Sequence, residues 1–275
     1  MILYLFLTHL AVGIFLSLLV VSKHAGVKFF RFNAGMAAIL LAIGVAFRPG
    51  DEPGRMAGVA FVASLISLAA MLAYWATVGR TLAAVRPAIV GVGAAAGLVM
   101  VVAQALAAST PGRGGLAAAA AVTMPALPLM TIASFLSSVA LLGGACTAMV
   151  LGHWYLVIPS MQVSYLQSMV KVHIVSMVLR VVVVAAAVLL AIATWEPGLG
   201  LPSFWRYITS VSGIFFWQRV LFGLAGPAVL SYLTWETAKI QSTQSATGIL
   251  YVDFFTVVVG EVLAKYLFLA TQVPV

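Results

Sequence analysis

Long apolar runs separated by short clusters of glycine, proline and charge set the pattern of this chain. Apolar stretches run from Ile2 to Val21, Ala34 to Phe47, Ala57 to Thr77, Ala88 to Ala108, Leu129 to Val157, Val172 to Ala193, Phe204 to Trp235 and Gly248 to Thr271. Most approach or exceed the roughly 20 residues that one helical crossing of a bilayer requires, and together they predict eight transmembrane helices. The second is short and is expected to begin earlier, near Phe29. The breaks carry turn chemistry: Arg48-Pro49-Gly50-Asp51-Glu52-Pro53-Gly54-Arg55, Pro111-Gly112-Arg113-Gly114-Gly115, and Glu196-Pro197-Gly198 through Pro202. The run Leu116 to Val122 is too short to cross and reads as a small interfacial helix.

Composition removes the soluble alternatives. Of 275 residues, 64% are hydrophobic and only 7% charged, against about 25% charged in an ordinary soluble domain, and no segment escapes the deficit. The expected fold is therefore all-α and polytopic, one integral membrane domain over residues 1–275. A single cysteine, Cys146, excludes a disulfide framework, a cysteine-ligated iron–sulfur cluster, a cysteine-type zinc site and a covalently attached haem; no metal site is expected in the chain. The net charge of +8 reads as membrane topology and contact with lipid headgroups, and nucleic acid is not an expected partner.

Charge placement orients the spans. The first basic residue, Lys23, follows the first apolar stretch, so that stretch reads as a retained helix rather than a cleaved signal. Lys23, Lys28, Arg31, Arg80, Arg86, Lys171 and Lys239 fall in the odd-numbered loops, and Arg48, Arg55, Arg113 and Arg206 in the even-numbered ones. By the positive-inside rule the odd loops face the cytoplasm and both termini lie outside a bacterial-type inner membrane. A faint repeat lays Phe6-Leu7-Thr8 through His24 on Phe135-Leu136-Ser137 through His153. A real duplication would divide the molecule into two parallel four-helix halves, 1–110 and 128–275.

Five ionisable residues stand inside predicted spans: Arg180, Arg219, Asp253, Glu261 and Lys265. Each costs about 2.5–3.5 kcal/mol at a helix centre, so intramembrane charges are paired or functional. Asp253, Glu261 and Lys265 recur at helical spacing on one stripe. Estimated depths put Arg180 level with Asp253 as an inner ion pair, and gather Arg219, Glu261, Lys265 and His9 as an outer cluster. The pair reads first as a structural lock. In the cluster, adjacent acid, base and imidazole could also pass protons. His24 reads as solvated or touching lipid phosphate, and Trp154-Tyr155 as an interfacial anchor. His153 and His173, at predicted helix ends, could ligate a b-type haem axially. In the seventh span, Phe215-Phe216-Trp217 precede Arg219, and Gly226-Pro227 is expected to kink the helix and free carbonyls. Such a segment could line a site for a flat lipophilic molecule.

Three stretches carry a family resemblance: Tyr4-Leu5-Phe6-Leu7 with Leu10-Ala11-Val12-Gly13, Phe216-Trp217 with Leu221 to Pro227, and Gly260-Glu261-Val262-Leu263-Ala264-Lys265-Tyr266. In these the chain resembles the quinol-interacting membrane anchors of molybdopterin-type oxidoreductases, the NrfD, polysulfide reductase and DMSO reductase anchor group. The resemblance implies an eight-helix respiratory subunit without its own redox centre, not an enzyme alone. It would bind menaquinone or ubiquinone and exchange electrons with an attached iron–sulfur or cytochrome subunit. It implies His9 as the polar first-helix residue of the pocket and Lys265-Tyr266 as the basic–aromatic step of the last helix. On this reading His9 and Glu261 are the candidate catalytic residues, donor and proton carrier, with Arg219, Lys265 and Trp217 binding the quinone. The competing readings are an ion- or proton-coupled transporter or channel, a haem b subunit, and a structural assembly subunit.

Overall fold

The computed structural model describes residues 1–50, 54–80, 84–109, 126–158, 161–194 and 204–275. Residues 51–53, the Pro111–Gly115 break, the Leu116–Val122 run and the Glu196–Pro202 break lie outside them. The helices are α1 (Ile2–Ser17), α2 (Val27–Ala46), α3 (Arg55–Thr77), α4 (Arg86–Ala108), α5 (Leu127–Val157), α6 (Val163–Thr194), a short α7 (Phe204–Thr209), α8 (Ile214–Val220), a π-helical turn (Leu221–Ala225), α9 (Gly226–Lys239) and α10 (Thr243–Thr271). No strand occurs among the described residues. Seven helices, counting α8 through α9 as one, are long and apolar enough to cross a membrane, and α1 is a shorter apolar helix of 16 residues. The chain is a multi-pass, all-α membrane protein. At 1.5 Å per residue α1 spans about 24 Å, a little under the hydrocarbon thickness of about 30 Å.

Proline and glycine set several boundaries. Pro87, Pro128 and Pro227 sit in the first turns of α4, α5 and α9, where a missing N–H costs no hydrogen bond of the new helix. Gly26, at φ 88, turns the chain into α2. The largest departure from the expected boundaries is α6. It begins at Val163 rather than Val172, because its first nine residues are polar enough to hide a helical turn pattern from a search for apolar runs.

Helix α1 packs on α2 and α4, α2 on α3, and α3 on α4, closing one ring of four. Helix α5 packs on α6 and α10, α6 on α9, and α9 on α10, closing a second ring. The rings join where α1 meets α5 and α10, and where α4 meets α5. Helix α5 is the central element: 83% of its apolar window is inside the protein, against 33% for α6. Helices α1 and α5 run parallel, since His9 meets Phe135 and Ser138 while Gly13 meets Val139 and Gly143. Their closest approach is Gly13 against Gly143, where a Cβ on either would land on the backbone of the other. Close approach through small residues is how helices associate when lipid removes the hydrophobic incentive.

One end of the bundle is basic. There Phe29 of α2 meets Trp154 of α5 edge to face, and His24 stacks on Tyr165 of α6. Arg31 lies over the Trp75 ring at 5.2 Å, and Lys171 and Lys239 lie over Trp235 at 5.1 and 5.3 Å. Tryptophan and basic side chains at one level mark a membrane–water boundary.

Candidate functional site

The stripe on α10 is buried against α5, α6 and α8, and its central residue is Glu261, fully enclosed. Arg180 of α6 grips the carboxylate with two nitrogens, Nε to Oε1 at 2.9 Å and Nη2 to Oε2 at 3.3 Å. Arg219 donates from Nη2 to Oε1 at 2.9 Å, and Lys265, one turn along α10, donates to Oε2 at 3.2 Å. Three cations on one carboxylate give these four side chains a formal charge of +2 (three positive, one negative).

Further oxygens take up donors of Arg180 and Lys265. Arg180 Nη1 donates to the carbonyl and hydroxyl of Ser134, at 3.0 and 2.8 Å, and to the Ser137 hydroxyl at 3.3 Å, while Nη2 also reaches the main-chain oxygen of Val275 at 3.3 Å. Lys265 Nζ donates to Ser138 Oγ at 2.6 Å and stands 5.6 Å from the Phe135 ring centroid. Helix α5 thus supplies acceptors at positions 134, 137 and 138, which are neighbours on a helix face. These serines were missed in the sequence, where they look like small packing residues of an apolar span. Their signal was the spacing itself.

Arg219 joins the cluster to the kink. Pro227 has no N–H, so the carbonyl four residues earlier, that of Gly223, loses its helical partner. A π-helical turn at Leu221–Ala225 accommodates the proline, and Arg219 Nη1 donates to Gly223 O at 2.8 Å. Gly223 also faces Gly260 of α10 so closely that a Cβ on either would overlap the other residue. That crossing brings Arg219 to Glu261. Because a lysine cannot serve both acceptors in this fork geometry, Arg219→Lys should destabilise the protein by about 1–3 kcal/mol. Adding Pro227→Ala restores an N–H for Gly223 O and should recover part of that loss. A double-mutant cycle of thermal unfolding in detergent, read by exposure of the buried Cys146 thiol, checks the coupling.

The expected inner pair of Arg180 with Asp253 is corrected. With α6 starting nine residues early, Arg180 lies level with Glu261, and Asp253 meets His173, Nε2 to Oδ2 at 2.6 Å. The contact is at ion-pair distance without hydrogen-bond alignment, and both side chains are fully buried. His153 and His173 are not brought together as haem ligands. His173 packs beside Gly144, and His153 lies nine residues further along α5, about 13 Å away along the axis, with Tyr251 Oη on its Nδ1 at 2.7 Å. Among the described residues no group of three or more potential metal ligands occurs.

His9 does reach the cluster. Its Nδ1 is 3.5 Å from Ser138 Oγ, the hydroxyl that also receives Lys265. Gln104 of α4 stands beside the imidazole and donates to Thr8 Oγ1 at 3.2 Å. His9 and Gln104 interact side chain to side chain, whereas Arg219 Nε and His173 Nδ1 are buried without an aligned partner among the described residues. Unmet buried polar atoms of this kind point to water or a ligand. Trp217 does not join them: it is 49% exposed, and its indole N–H donates to Ile208 O at 2.9 Å, fastening α8 to α7. Comparison with protein families, characterised proteins and solved structures finds no significant match to the chain.

Proposed function

We propose that the chain is a membrane subunit of a quinone-linked redox complex, in which the seam between the two helix rings presents positive charge and N–H donors to the quinone ring. One observation carries this reading: a buried cluster of three cations around one carboxylate lies beside the His9 imidazole and holds an Arg219 Nε without a partner among the described residues. In a low-dielectric site such an arrangement favours electron-rich oxygen. A bound menaquinone or ubiquinone would supply two-electron, two-proton chemistry at its ring oxygens. His9 would donate to one oxygen and Arg219 and Lys265 would bias the site towards negative charge. Electrons would come from an attached iron–sulfur or cytochrome subunit.

Glu261 takes a different role from the one its sequence suggests. Both of its oxygens are held by cations and it is fully buried, so it acts as the fixed counter-charge that keeps three cations in place. Proton movement falls to the Asp253–His173 pair, two helical turns further along the same stripe towards the basic end, and to His9. The basic end would face the cytoplasm and both chain ends the outside, by the positive-inside rule.

The test starts from the complex purified in mild detergent. Co-elution with a redox protein and extractable quinone is expected. His9→Ala should lower quinone occupancy at least tenfold, with the temperature of Cys146 exposure unchanged. Asp253→Asn should slow quinol turnover by about 10²-fold or more, the usual worth of a positioned proton-transfer group, without displacing the quinone. A chain that binds no quinone and by itself carries protons across vesicles would overturn the redox reading in favour of a transporter.

A further inference from the structure

The basic end of the first ring carries two apolar grooves on either side of the first turns of α2, and neither belongs to the buried cluster. One, of about 580 Å³, lies between α2 and α3. Lys28, Arg31, Gly35, Ile39 and Trp75 are among the residues that line it. Its shape depends on the glycine, since a Cβ at Gly35 would come within 2.9 Å of the Trp75 ring. The other, of about 450 Å³, has Lys23, Arg86, Val27, Phe30 and Tyr74 among the residues that line it.

Length and charge identify an occupant. From Lys28 to Ile39 is eleven residues, or about 16 Å of helix, which matches one leaflet, half of a hydrocarbon core about 30 Å thick. Positive charge gathers here: Lys23, Lys28, Arg31, Arg80 and Arg86 lie at this end, and the two acids of residues 1–109, Asp51 and Glu52, fall between α2 and α3 in the chain. Basic pockets between helices at the membrane surface recruit anionic headgroups.

We propose that these two grooves are binding sites for anionic phospholipid. Acyl chains lie along Gly35–Ile39 and along Val27–Phe30, and the phosphates sit on the cation pairs Lys28/Arg31 and Lys23/Arg86. The guanidinium of Arg31, already held over Trp75, is positioned to receive a phosphate without reordering. Lipid bound here would brace α2 against α3 and α4 at the level where they leave the membrane.

Native mass spectrometry of the full chain in mild detergent tests this with dioleoyl phosphatidylglycerol, dioleoyl phosphatidylcholine and inorganic phosphate as probes. Phosphatidylglycerol should be retained about tenfold more strongly than phosphatidylcholine, with two molecules per chain. The variant Lys28→Gln/Arg31→Gln should lose one of the two, and Lys23→Gln/Arg86→Gln the other. Equal retention of the two lipids, or variants that keep both molecules, would overturn the proposal. So would displacement by millimolar phosphate, which would mark the cations as a site for a soluble anion.

Discussion

Glu261→Gln should be the most destabilising single substitution in this protein, costing about 3–5 kcal/mol, the range for breaking a buried ion pair by removing one partner. Among the described side chains the carboxylate is the only anion paired with Arg180, Arg219 and Lys265, and all four side chains are buried. Without it, three positive charges share a low-dielectric interior, and the described side chains around them offer hydroxyl oxygens in its place. Removing a cation runs the other way. Lys265→Met lowers the excess charge from two to one and leaves Ser138 Oγ available to His9, so its cost should be well below that of Glu261→Gln. Thermal exposure of Cys146 in detergent, measured for Glu261→Gln, Arg180→Met and Lys265→Met, should rank them in that order of severity. A Glu261→Gln protein as stable as the Lys265→Met protein would mean that the carboxylate is not the keystone. It would return Glu261 to consideration as a proton carrier.

The helical, membrane-spanning character of the chain was legible because apolar runs near the length of a bilayer crossing have few other solutions in so uncharged a sequence. Helix ends were legible only where a strong breaker stands. Pro87 and the Gly226-Pro227 step mark transitions that the structure contains. The start of α6 was not, because Ser164, Tyr165, Gln167, Ser168 and Lys171 dilute the apolar signal although they still form helix. This local error propagated into the site. Depth along a helix is counted from its start, so a start displaced from Val163 to Val172 misplaced Arg180 relative to Asp253 and Glu261 and exchanged their partners.

Membership of the site was more legible than its pairing. Arg180, Arg219, Asp253, Glu261 and Lys265 stand out because an unpaired charge in hydrocarbon is costly, and all five are enclosed in the second ring. The hydroxyl acceptors Ser134, Ser137 and Ser138 did not stand out, since serine is a routine packing residue between membrane helices. Trp217 misled for the opposite reason. An aromatic two residues from a buried arginine lies on the other side of a helix, and its N–H is engaged by Ile208. Spacing on the helix, more than proximity in sequence, sorts the residues that face the cluster from those that do not.

The other large effect concerns the seam between the two rings, where Gly143→Ala should be severe and Gly144→Ala nearly silent. A Cβ at position 143 falls on the backbone of Gly13, which has no rotamer to change, so α1 and α5 must move apart. One at position 144 meets the His173 Cα at 3.4 Å, an ordinary contact. Overpacking of this kind costs about 1–3 kcal/mol, with the upper end expected where backbone meets backbone, while Gly144→Ala should stay within about 0.5 kcal/mol of the parent. Gly13→Ala should resemble Gly143→Ala, and the double variant should cost less than the sum, because a single separation of the helices accommodates both methyl groups. The same separation draws His9 from Ser138 and so from Lys265. Quinone occupancy should therefore fall in Gly143→Ala and persist in Gly144→Ala, even below the temperature at which Cys146 becomes reactive. Equal stability and equal occupancy in the two variants would show that the rings are not held at this glycine contact and that His9 reaches its partners by some other support.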